Sequence, residues 1–174
     1  MCGYPHVIAA RRSPTVTLGI PMAFNLQAVL PGLVPKAIAW AEAQAALVAQ
    51  AGRPLDGAML AVARSVGVQQ PERIRIAEVT HLPLPLDAHL RKAALVSGLL
   101  GPSTLGLTLG YGIFICSKHV GVRLLSHEFR HVHQYEAAGS IATFLPAYLD
   151  QIAAVGYRNA PYEVDARTHE VDRV

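Results

Sequence analysis

Residues 127–131, His-Glu-Phe-Arg-His, have the residue types and spacing of a metal site that could activate water. On a helix, residues four apart lie one turn along the axis and about 40° apart around it, so both imidazoles can reach one ion. Glu128 is turned about 100° from His127, close to the ion without blocking it. The pattern predicts a zinc ion held by His127 and His131, with Glu128 as the general base that takes a proton from water.

The predicted ion needs a third protein ligand, because catalytic zinc keeps three protein ligands and one open position. A histidine at position 137 would complete the HExxHxxGxxH spacing, but that residue is Ala, which excludes this class of site. The remaining candidates lie downstream: Asp150, Glu163, Asp165, His169 and Glu170. The residue types alone leave the choice among them open.

The stretch HEFRHVHQYEAAG, followed by FLPAYL and GYRNAPYEVDAR, resembles the active-site region of gluzincins, zinc peptidases whose third ligand is a Glu on a later helix. It is most similar to small bacterial zincin-like proteins with HExxHVxQ and a downstream N-P-[FY]-E-x-[ED]-A segment, and more distantly to the CAAX-prenyl and heat-shock zinc endopeptidases. The resemblance covers residues 104–170. It implies a zincin-like fold, zinc as cofactor, a peptide or protein substrate and Glu163 as third ligand, with Asp165 as second choice. Arg167 stands where those endopeptidases have Asp, so the role of that acid is missing here or passes to Asp165.

A peptidase also needs a donor to the oxyanion that develops as water attacks the carbonyl. The candidates are Tyr157, Tyr162, His119, Arg130 and Arg158. Tyr157 and Arg158 are preferred because they precede the helix expected to carry Glu163, and Tyr157 is the predicted catalytic partner of Glu128. Segment 107–116 is predicted to be the edge strand along which an extended peptide pairs by β-addition.

Predicted helices flank a β-rich centre. Alternating residues predict a strand over 73–79, and the glycine-punctuated β-formers of 104–116 predict one bent strand or two short strands. Helices are predicted over 34–51, 55–66, 87–99, 119–138, 140–155 and 161–172. The proline-rich first 32 residues are predicted to be an irregular N-terminal extension, followed by a single domain over 33–174.

The helix predicted over 119–138 has two distinct faces. Its apolar residues recur at 3-4-3 spacing and form the stripe expected to pack on the core: Val122, Leu125, Phe129 and Val132. His127, His131 and Gln134 fall on a different face, where a cleft could open. We therefore expect an α+β fold in which a small, mostly antiparallel sheet packs on this helix.

Composition limits the partners and the location. The formal net charge is +3 and the basic residues are scattered, so no nucleic-acid partner is expected. Prolines interrupt the N-terminal apolar stretch, so no transmembrane span is expected, while membrane-surface contact and the oligomeric state stay open. No secretory signal is recognisable, and the two cysteines lie far apart in the sequence. These features predict a cytoplasmic protein, with export by a twin-arginine-like signal at Arg11 and Arg12 as the alternative.

The leading prediction is a zinc-dependent hydrolase, a peptidase that uses activated water. Two other classes of function fit the same residues. In one, zinc staples helices in a non-catalytic module with a vestigial zincin site, and binding another protein is the function. In the other, the chain is an interaction protein that holds no metal.

Overall fold

The computed structural model describes residues 24–172, which form six α-helices and four strands. The helices are α1 Leu26–Ala51, α2 Gly57–Ser65, α3 Ala88–Val96, α4 Val122–Ala138, α5 Ile141–Val155 and α6 Pro161–Thr168. The strands are β1 Arg53–Pro54, β2 Arg75–Val79, β3 Gly106–Leu109 and β4 Gly112–Cys116. Single 3₁₀ turns lie at Pro71–Arg73, Ser117–His119 and Tyr157–Asn159. Over the described range, no helix combines the length and the apolarity needed to cross a bilayer.

Helix α1 begins earlier than the sequence predicted, so residues 26–32 are helical. Asn25 caps it, since its side chain accepts a hydrogen bond from the backbone N–H of Ala28 at 3.1 Å. Pro31 and Pro35 lie inside the helix although neither can donate a backbone hydrogen bond. Burial of apolar side chains along this part of the helix, among them Leu30 and Leu33, offsets those losses. The remainder of the predicted extension, residues 1–23, lies outside the described residues.

The sheet is mixed, with strand order β1-β2-β4-β3. The two outer pairings, β1 with β2 and β3 with β4, are antiparallel, whereas the central pair β2 and β4 is parallel. The region 104–116 forms two short strands joined at Gly110, whose φ of 63° is a left-handed conformation that glycine adopts without strain. The prediction that all of 107–116 forms an edge strand is wrong for β4, which lies between β2 and β3; β3 is the edge strand.

Helices cover both faces of the sheet. Successive β4 residues point to opposite faces, so Ile113 and Ile115 pack on one side and Phe114 on the other. The first side contacts α2 and the predicted stripe of α4, where Leu125, Phe129 and Val132 are buried. The second side contacts α1, which in turn packs on α5. This arrangement fixes α4 against the sheet and turns its other face toward α6.

Candidate metal centre

Helix α4 places His127 and His131 side by side. The two Nε2 atoms are 3.2 Å apart, and the rings meet edge to face with their centroids 4.9 Å apart. Because the apolar stripe of α4 is buried against the sheet, the helix cannot rotate this face away from the site without exposing that stripe. The helix therefore presents two nitrogen atoms to a single point, as the four-residue spacing predicted.

Helix α6 brings Glu163 to the same point. Pro161 begins the first turn, where its missing N–H costs no helical hydrogen bond, and Glu163 lies two residues later in the same turn, only 1% exposed. Its Oε1 lies 3.2 Å from His131 Nε2 and its Oε2 lies 3.6 Å from His127 Nε2. One ligand atom from each of the three residues lies within 4.8 Å of the others. The structure thus brings together the three residues that the sequence and the resemblance nominated as ligands.

The outer nitrogen of each imidazole has its own partner. His127 Nδ1 lies 3.1 Å from Glu170 Oε1, and His131 Nδ1 lies 2.8 Å from Gln134 Oε1. Gln134 uses its amide N–H groups on Tyr162 O and Asp165 Oδ2, which leaves its oxygen to accept from His131. An imidazole that donates outward from Nδ1–H can, once neutral, turn its Nε2 lone pair toward the centre, which is the tautomer that a metal ligand requires.

The other ligand candidates lie outside this cluster. Both carboxylate oxygens of Asp165 accept from Arg130, at 2.7 and 3.0 Å, and His169 lies beside the same carboxylate. Asp150 is exposed on α5, and Glu170 reaches His127 only through Nδ1. His133, expected to point elsewhere, contacts the carbonyl of Gly67 at 2.8 Å. Asp165 therefore links α6 to α4 through its hydrogen bonds with Arg130.

Glu128 is buried beside the ligands and held by the edge strand. The Thr108 hydroxyl donates to its Oε2 at 2.6 Å and also approaches its backbone carbonyl at 3.2 Å. Gly106, at the start of β3, provides the space for the carboxylate: a Cβ there would lie 2.6 Å from Glu128 Cδ and 2.9 Å from Cγ. Strand β3 therefore fixes the orientation of the Glu128 carboxylate and leaves the space that it occupies.

The centre has an excess of negative charge that favours a bound cation. Burial lowers the pKa of His127, but the carboxylates of Glu163, Glu128 and Glu170 outweigh burial and raise it above its ordinary value. Burial would raise the pKa of Glu163, yet hydrogen bonds from His127, His131 and Tyr148 hold that pKa well below its usual range. Glu163 is therefore an anion at neutral pH and can bind a positive ion.

An open cleft of about 930 Å³ leads to the centre. His127, Glu128 and Glu163 line its floor, and Tyr157 lies at its side. Burial, followed by the nearby Glu163 and Glu128 carboxylates, raises the pKa of Tyr157 far above its ordinary value, so this phenol stays protonated. A protonated phenol beside the floor of the cleft can donate a hydrogen bond.

The five predicted oxyanion donors divide into two groups. Tyr157, Arg158 and His119 line the cleft. Arg130 does not, because it is bound to Asp165 and to the carbonyl of Val66. The ring of Tyr162 stacks on Phe144 with centroids 4.8 Å apart, among the partly buried residues of the core.

Tyr148 contacts the centre although no sequence pattern marks it as part of the site. Its hydroxyl is fully buried and donates to Glu163 Oε1 at 2.5 Å. We expect Tyr148→Phe to weaken zinc binding about tenfold, because an outer partner that orients a ligand typically contributes that much. Zinc titration against a chelator of known affinity measures this change.

Tyr162→Phe is the matched control for this variant, since within residues 24–172 the Tyr162 hydroxyl makes no hydrogen bond to a side chain or backbone. Its zinc affinity should equal that of the unmodified protein. Equal losses in both variants, or no loss in Tyr148→Phe, would show that the hydroxyl does not support the ligand.

No protein-family model, no curated protein and no solved structure matches this chain.

Proposed function

We propose that the protein is a zinc-dependent hydrolase that cleaves peptide bonds, with a zincin-like fold and a gluzincin-like site. The observation that carries the proposal is the convergence of His127, His131 and Glu163 beside the buried carboxylate of Glu128. Two imidazoles and one carboxylate are a ligand set typical of catalytic zinc, which leaves one position open. The β-sheet with α4 against it and the ligand helix α6 following later in the chain are compatible with this class.

The candidate ligand atoms are spaced closely enough for zinc to draw them together. Ligands about 2.0–2.1 Å from a tetrahedral ion lie about 3.3 Å from one another. The two Nε2 atoms are 3.2 Å apart. Glu163 Oε1 lies 3.2 Å from His131 Nε2, and the other oxygen, Oε2, lies 3.6 Å from His127 Nε2. In addition, both histidines have outer partners that orient Nε2 toward the centre, as metal-binding histidines generally do.

The chain supplies the groups that move protons. A bound zinc ion would polarise the scissile carbonyl and make water more acidic. Glu128 lies beside that position and can accept the proton of the attacking water, then deliver it to the amine that leaves. The Thr108 hydroxyl occupies Oε2 of Glu128 and so keeps the carboxylate in one orientation.

The cleft offers a place for the substrate and a donor for the oxyanion. Strand β3 is at the edge of the sheet, and Gly106 at its start lines the cleft beside Glu128. An extended peptide that pairs with this edge would pass over the metal centre. Tyr157, kept protonated by its surroundings, is the group we assign to donate to the developing oxyanion.

The proposal is tested by exposing an unbiased peptide mixture to the zinc-loaded protein and identifying new termini by mass spectrometry. We expect cleavage that stops when a chelator removes the ion and returns when zinc is added. If the protein binds one equivalent of zinc and cleaves nothing, the non-catalytic zinc module becomes the better account.

Gly106→Ala tests the space reserved for Glu128. The added Cβ would overlap the Glu128 side chain and displace its carboxylate, so we expect kcat/KM to fall about a hundredfold with zinc stoichiometry unchanged. Gly101→Ala is the control, because a Cβ there meets no atom within 4 Å. Unchanged activity in Gly106→Ala would mean that Glu128 does not need its present position.

A further inference from the structure

Exposed apolar side chains are concentrated in segments that adjoin the cleft. They lie at the end of α3, in the segment before it and after β4: Leu84, Leu86, Leu95, Val96 and Val120. Leu86 is 92% exposed and Val96 is 58% exposed. Single exposed apolar residues are common on proteins, but a cluster of them marks an interaction surface.

These side chains lie on or next to one groove. Leu84 and Leu95 line a groove of about 510 Å³ together with Lys118 and His119. His119 also lines the cleft over the metal centre, so the groove and the cleft adjoin. Leu86, Val96 and Val120 are each within two residues of a groove residue.

Cations border this surface. On α3, Arg91 lies one turn before Leu95 and Lys92 one turn before Val96, so charge and apolar surface share one helix face. Within residues 24–172, Arg91, Lys92 and Lys118 form no ion pair. We call the five apolar residues together with these three cations the leucine–lysine face.

Acidic residues are nearly absent from the segments that carry this face. Asp87 is the only acidic residue between positions 80 and 121, and Lys36 holds it at 2.6 Å. This hydrogen bond is the main reason that the pKa of Asp87 falls to about 2. The partner of the leucine–lysine face must therefore accept apolar side chains and bring the negative charge itself.

We propose that the leucine–lysine face docks on an anionic phospholipid bilayer, with the cleft beside the membrane surface. A bilayer takes apolar side chains among its acyl chains while its anionic headgroups attract lysine and arginine. Protein interfaces, by contrast, are enriched in aromatic anchors and depleted in lysine, and the leucine–lysine face has no aromatic member. Docking of this kind does not depend on the candidate metal centre, so its test is independent of the test of the proposed hydrolase activity.

The test is sedimentation of the full-length protein with vesicles of phosphatidylcholine, with or without phosphatidylglycerol. We expect at least about tenfold tighter binding to the anionic vesicles, weakening as salt is added. Leu86→Ser combined with Val96→Ser should weaken binding about tenfold or more. Arg91→Gln combined with Lys92→Gln should weaken it about twentyfold and flatten its salt dependence.

Controls come from other faces of the molecule. Leu47→Ser removes a 57% exposed leucine from α1, and Arg64→Gln removes an exposed cation from α2. Both should bind vesicles as the unmodified protein does. Equal binding to neutral and anionic vesicles, no binding at all, or equal losses in the controls would overturn the proposal. Sedimentation velocity adds one more outcome: a dimer that Leu86→Ser dissociates would assign the face to a second copy of the chain and overturn bilayer docking.

Discussion

Glu128→Gln is expected to lower the peptidase kcat/KM by about a thousandfold or more, while the protein still binds one equivalent of zinc. The carboxamide has nearly the same shape as the carboxylate, but it cannot take a proton from water, and general-base catalysis contributes about 10²–10⁴-fold. Glu128 is not among the three ligand residues, so metal binding should survive. The Thr108 hydroxyl can donate to the carboxamide oxygen as it does to the carboxylate.

The measurement pairs kcat/KM on a cleaved peptide with zinc content. Glu42→Gln, which changes an exposed carboxylate on α1, is the matched control and should leave both quantities unchanged. A Glu128→Gln variant that retains full activity would remove the general base from the mechanism. A variant that loses zinc together with activity would show that Glu128 holds the ion.

The part of the site that lies on one helix could be predicted from the sequence. Helical geometry alone fixes how His127, Glu128 and His131 stand relative to one another, and the apolar stripe shows which side of α4 is buried. Leu125 and Phe129 are indeed in the core, and His127 faces the cleft while His131 is buried beside it. Such local relations need no knowledge of the tertiary fold.

The choice between Glu163 and Asp165 shows where the residue types stop being sufficient. Two residues along a helix turn the side chain by about 200°, so only one of these acids can face His127 and His131. Residue types do not say which one. The resemblance nominated Glu163, and the structure gives the physical reason: Arg130 and Gln134 on α4 hold Asp165 on the far side.

Contacts between residues far apart in the chain could not be predicted from the sequence. Thr108 lies 20 residues from Glu128 and Tyr148 lies 15 from Glu163, and both are residue types that usually occupy ordinary core or strand positions. No pattern distinguishes them before the fold places them at the centre. Glu170 was a candidate ligand for its charge, but its position beside His127 Nδ1 depends on how the chain after α6 meets α4.

The order and pairing of the strands could not be predicted for a related reason. Alternation of residue types predicts that a strand exists, but it does not say which strand lies beside it. The parallel pairing of β2 with β4 buries Ile76, Ile113 and Ile115 together under α2 and α4. This pairing moves β4 to the interior, so β3 becomes the edge strand next to the centre.

Zinc should raise the thermal unfolding midpoint by about 10 °C when its free concentration is about a thousand times its dissociation constant. An ion that binds only the folded state stabilises that state by about 4 kcal/mol under these conditions, and each kcal/mol shifts the midpoint of a chain this size by about 2–4 °C. The metal-free centre holds the buried anion of Glu163 against two imidazoles. Binding should therefore also relieve the cost of gathering these groups away from water.

His131→Ala and Glu163→Ala should each remove most of the zinc-induced rise, because each takes away one of three ligands. The comparison uses the rise and not the starting midpoint, since truncating a buried side chain lowers stability by itself. His89→Ala, at an exposed position on α3, should keep the full rise. A rise of the same size in all three variants would place the ion elsewhere. A rise lost only in His131→Ala and Glu163→Ala would mean that α4 and α6 hold the ion between them, which is the condition on which Glu128 can act on water.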